Sequence, residues 1–92
     1  MAVQRQAVQP AARRIVRDPN ICGGDPTIEG TRVPITSLVV AYDLYRDLGQ
    51  IRTAYPQVEI PTIMAALAFY EAHRQEIDAL IELDEREAAA AD

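Results

Sequence analysis

Lysine and tryptophan are missing from this chain, and it has one cysteine, one histidine and one phenylalanine. Each shortage excludes something. Cys22 has no second thiol, so no internal disulfide can form, and the simplest compartment is the cytoplasm. His73 stands far from Cys22 with no second imidazole, which leaves no zinc set and makes a helix-end or core-edge role the expectation. No Ser/His/Asp, Cys/His or paired-carboxylate arrangement has catalytic spacing, so the chain is expected to be no enzyme and to need no cofactor or metal. No apolar run reaches the roughly 18 residues of a membrane span. The opening "MAVQRQAVQPAARR" lacks the apolar core of a signal peptide. At 92 residues the chain is one domain with a thin core, which pairing into a homodimer would supplement.

What is present is unevenly placed. All nine basic residues are arginine, and Arg5, Arg13, Arg14 and Arg17 precede the first acid. From Glu59 onward nine acids face only Arg74 and Arg86. A basic front and an acidic back suggest two partners, or one partner with two faces. The net charge of −5 argues against the whole surface being a nucleic-acid platform and leaves room for a local arginine patch.

The pattern along the chain predicts a mainly α fold. Residues 1–12 are rich in Gln and Ala and read as a flexible arm, 13–87 as a single domain, and 88–92 as a frayed tail. Short extended segments are expected at Ile15–Val16 and around Ile28, Val33 and Ile35, pairing as a hairpin. A helix follows with Thr36 or Ser37 as N-cap. A short one begins after Asp47, with Gln50 at capping-box spacing, and stops before Pro56. Pro61 suits the first turn of a third helical stretch, which is either one long helix or two with a break near His73. A helix, a short helix and a helix behind a proline have the proportions of a helix-turn-helix unit.

After the first extended segment comes "NICGGDPTIEGTRVPI", which includes the second. A phosphate loop would need lysine and a helix after its glycines; here Asp25 repels phosphate, Pro26 has no N–H, and extended chain follows. Gly23, Gly24 and Gly30 are therefore expected to serve turns.

The ordered pattern Ile15, Asp18-Pro19, Ile21, Gly23-Gly24, Pro26, Ile28, Gly30-Thr31-Arg32-Val33-Pro34 resembles the opening of the domain-of-unknown-function family 433. The resemblance continues through Ile51, Tyr55-Pro56, Ala65-Ala66-Leu67, Tyr70, His73-Arg74 and Glu76-Ile77-Asp78. The chain departs from the family pattern at Asp25, where a basic residue is common, and at Glu59 or Ile60, where a Ser or Thr cap is usual. The resemblance implies a winged or homeodomain-like helix-turn-helix bundle of three to four helices. It also implies a VapB-like antitoxin that neutralises a PIN-like ribonuclease toxin and represses its own operon by binding operator DNA.

Candidate residues follow from that implication and from the charge layout. Arg13, Arg14 and Arg17 are placed to reach DNA phosphates, with a solvated tail as the other reading. Arg32 either clamps a phosphate or ties loop carbonyls or a nearby carboxylate. Thr62 is a candidate base contact near the start of the third helix, whose apolar sequence otherwise offers few donors and no arginine. Ile77, Leu80, Ile81 and Leu83, with Glu82 and Glu85, form a candidate partner-binding stripe, the acids suited to a basic nuclease groove. The rival expectation is a homo-oligomeric interaction module that does not read DNA.

Overall fold

The computed structural model describes residues 12–90. The arm expected at 1–12 lies outside the described residues apart from Ala12, as do 91–92 of the expected tail. Strand β1 (Ile15–Val16) pairs antiparallel with β2 (Thr27–Ile28), in the register Ile15 opposite Ile28 and Val16 opposite Thr27. The link between them is a built turn. Asp18 accepts through its carboxylate from Asn20 N–H and through its carbonyl from Ile21 N–H, at 2.9 and 2.8 Å. The 3-10 turn Cys22–Gly24 then places three successive residues at φ of 52°, 64° and 94°. A side chain disfavours that left-handed backbone, which is why glycine fills two of the three positions.

After β2 the chain folds back at Gly30, where φ is 81°. Ile28 N–H donates to Val33 C=O, and Ile35 N–H to Pro26 C=O. Ile35 thus closes the turn and also opens helix α1 (Ile35–Tyr45) instead of extending the strand. The N-cap is Pro34, and no side chain caps the helix. Thr36, one of the two expected caps, is instead buried inside the first turn.

Arg46 ends α1 in the left-handed conformation, and Asp47 starts helix α2 (Leu48–Ala54) by accepting from the N–H groups of Gly49 and Gln50. Such a cap contributes about 1 kcal/mol. The turn before helix α3 (Ile60–Ala72) is pinned by Val58, which is fully buried, and Pro61 sits in the first turn of α3. At His73 the backbone leaves helical geometry, with φ −134° and ψ 37°, and helix α4 (Arg74–Ala90) begins. There are therefore two helices, and α4 stays helical through Ala88–Ala90, where fraying is expected from the sequence.

Helix α1 lies at the centre and packs against α2, α3 and α4. Its own Ile35 and Leu38, with Ile28, Ile51, Val58, Ile63 and Ile77 from the elements around it, are fully buried. Each such side chain contributes about 1.5–3 kcal/mol of burial. The architecture is mainly helical, with four helices and a short two-stranded antiparallel hairpin near the N-terminus. No helix among the described residues is long and apolar enough to cross a membrane.

Candidate functional site

The arginines at the front of the chain divide into two pairs. Arg13 is anchored inside the molecule. Its backbone N–H donates to Thr62 Oγ1 at 3.0 Å, and its guanidinium reaches Glu29 C=O and the Glu59 carboxylate. Glu59, N-cap of α3, is held below the usual carboxylate range first by its own backbone N–H and then by Arg13. Arg17 forms a two-pronged pair with Glu76 on α4 and lies over the Phe69 ring at 5.7 Å. That pairing holds the Glu76 carboxyl below its ordinary range. Arg14 and Arg32 are exposed, and neither makes an ion pair among the described residues.

Three of the five residues expected to contact DNA therefore take other roles. Arg13 and Arg17 tie β1 to α3 and α4 across the fold, so their charges are already partnered. Thr62 is fully buried and its hydroxyl is engaged by Arg13 N–H, so it cannot touch a base edge. The outward face of α3 instead presents Ile60, Pro61, Met64 and Ala68, with Met64 55% exposed. No hydrogen-bond donor among these side chains could read a groove.

The expected partner-binding stripe on α4 also divides. Ile77 has no exposed surface and belongs to the core, so it is removed from the contact set. Leu80 and Ile81 are half-buried against that core. Leu83 is exposed, and Glu82 bonds to Arg86 one turn on. From Glu82 to Ala90 every residue of α4 is exposed. At 1.5 Å per residue those nine residues form an arm about 13 Å long.

Where the arm leaves the core, α1, α2 and α4 enclose an open groove of about 330 Å³. Val40, Leu44 and Tyr45 of α1 form one wall, Ala54 and Tyr55 the end of α2, and Ile81, Asp84 and Glu85 the α4 side. Leu44 is 72% exposed, an unusual position for a large apolar side chain with other apolar groups beside it. On the α1 side, no residue of this groove is among those expected from the sequence. The signal for it is the run "LVVAYDLY", which is apolar on more sides than one core-facing stripe can use: Leu38 and Val39 face inward while Val40 and Leu44 face out.

The junction around His73 is polar but small. The His73 ring stacks on Phe69 with centroids 4.0 Å apart, and Tyr70 Oη donates to Asp78 at 2.8 Å. That hydrogen bond is the main cause that raises the Tyr70 hydroxyl above its ordinary value. Cys22 is a free, exposed thiol. Among the described residues no three His, Cys, Asp or Glu side chains gather as metal ligands.

Comparison with curated proteins finds none that matches. Among solved structures, the crystal structure of a DUF433 member protein from Anabaena variabilis is similar, with a TM-score of 0.70 and 28% identity over 84% of this chain and 73% of that one. The family model described as "Protein of unknown function (DUF433)" matches from the first residue of β1 into the last turn of α3, residues 15–70, and the chain belongs to that family.

Proposed function

We propose that this chain is a non-catalytic, cytoplasmic regulator that works by protein contact, as the antitoxin-like member of a toxin–antitoxin pair. Its partner is a PIN-like ribonuclease. One observation carries the reading: an exposed apolar groove continues into an acidic helical arm that the fold itself leaves uncovered. A nuclease that handles RNA presents basic surface, which Asp84, Glu85 and Glu87 complement, while Leu44 and Leu83 supply burial. The test is co-expression with the product of a neighbouring small-nuclease gene. Co-purification of the two chains and relief of growth arrest are expected. A nuclease that elutes alone and stays active would overturn the reading.

Operator binding is a second reading, and it rests on Arg14 and Arg32, which are exposed and free of ion pairs among the described residues. As phosphate contacts they would each contribute about one unit to the salt slope of binding. Arg14→Ala with Arg32→Ala should therefore flatten that slope by about two units. An unchanged slope would leave a module that does not read DNA. In either case the donor-free face of α3 suits a second copy of the chain better than a base edge, and Met64 is its centre. Light scattering should give twice the chain mass, and Met64→Asp should halve it.

A further inference from the structure

The groove between α1, α2 and α4 has a charge pattern that specifies more than apolar contact. Asp84 and Glu85 stand on its α4 side, and neither makes an ion pair among the described residues. The groove runs along α1 from Thr36 and Ser37 in its first turn to Tyr45 at its end, and α2 also ends on it at Ala54. Helix C-termini carry partial negative charge from their unpaired carbonyls. The cations that could neutralise this end of the molecule turn elsewhere. Arg46 reaches Asp43 and lies over the Tyr42 ring, and Arg52 donates to Pro56 C=O. No arginine among the described residues lines the groove. It is thus a mainly apolar trough with a carboxylate rim along α4 and no cationic counter-charge among the described residues.

We infer that this groove receives a basic amphipathic helix of the partner protein, with aliphatic side chains set against Val40, Leu44 and Tyr45 and arginine or lysine side chains against Asp84 and Glu85. The inference rests on the protein-contact reading above and narrows it to one segment chemistry. A helix offers apolar side chains one turn apart on one face and long cationic side chains along its edge, which is the pattern the trough and rim present. The same rim excludes acidic segments, so charge selects the occupant while the apolar floor holds it.

The test uses the full chain and two labelled synthetic helices, one with leucines on one face flanked by arginines, the other with glutamates in place of the arginines. Fluorescence anisotropy should show binding of the arginine helix and none of the glutamate helix. Leu44→Gln, at a position exposed enough not to disturb folding, should weaken binding about tenfold or more. Asp84→Arg with Glu85→Arg should reverse the preference, so that the glutamate helix binds and the arginine helix does not. Equal binding of both helices by the native chain, or a preference that survives the reversal, would overturn the inference. So would protection of Leu44 in a dimer of the free chain, which would make a second copy the occupant. None of these readouts involves the nuclease, so this inference can fail while the co-purification test succeeds, and the reverse.

Discussion

Helix α4 consists of two lengths joined without a break in the backbone, an apolar stripe in the first giving way to acids and alanines in the second. Arg74 to Ile81 is tied down: Ile77 is in the core, Glu76 is held by Arg17, and Asp78 accepts from Tyr70. Glu82 to Ala90 is exposed throughout, and its one ion pair among the described residues, Glu82 with Arg86, is internal to it. Such a pair adds only about 0.3–0.5 kcal/mol, and a helix needs about 12–15 residues to stand alone in water. The arm is therefore helical because the packed half supplies its nucleus, and its alanines and glutamates have high helix propensity. The first half serves the fold; the second is held out at no cost to it, which is the arrangement expected of a contact surface.

Substitutions along α4 sharpen or break that division. The largest effect belongs to Ile77→Ala, which should destabilise by about 2–5 kcal/mol in urea unfolding because it empties a fully buried site. A loss below about 1 kcal/mol would show that the first half is not part of the core. Glu76→Gln comes next. The pair with Arg17 is close to half exposed and screened, so the expected loss at neutral pH is about 0.2–1 kcal/mol.

That pair also sets a pH dependence. Glu76 and Glu59 both have folded-state values below their ordinary 4.5. Their contribution is complete above that value and is lost as pH falls through the depressed values, because the unfolded chain then binds protons the folded one resists. The urea midpoint should hold from about pH 7 to about pH 5 and fall below it, and Glu76→Gln should shallow the fall. The smallest effect on stability belongs to removal of residues 83–92. Unfolding free energy should move by no more than about 0.5 kcal/mol, the range of surface changes. Co-purification with the nuclease should nevertheless be lost.

How much of this is legible in the sequence depends on the kind of signal. Local chemistry is readable. Asp47 before a short helix, Pro61 in a first turn and the glycine turn each follow from one or two residues whose backbone demands are strong; the break at His73 is one of two alternatives the sequence leaves open, because histidine itself breaks no helix. The phase of an apolar helix is not. Helix α3 carries apolar residues on every side, so the sequence does not say that Thr62 turns inward and Met64 outward; packing against α1 and α2 decides it. For the same reason Ile77 and Leu83, parts of one apparent stripe, end up in the core and in solvent. The partners of Arg13 and Arg17 lie 46 and 59 positions away, and no local pattern points to them.

Those long-range ties imply an order of events in time. Helices α1, α2 and α3 are neighbours in sequence and can assemble through short loops. Fastening β1 by Arg13 to Glu59 and by Arg17 to Glu76 closes separations of 46 and 59 residues, and exposed pairs worth about 0.2–1 kcal/mol are too weak to hold such closures before the helices have packed. The strand should then dock after the rate-limiting barrier. Contacts made after the barrier govern how fast a protein opens, not how fast it forms. Arg17→Ala should accordingly leave the refolding limb unchanged in stopped-flow measurements and raise the unfolding rate by nearly its whole equilibrium effect. An equal slowing of refolding would place the strand in the folding nucleus instead. As the last element to close, β1 would also be the first to open, so loosening the strand precedes loss of the helical core.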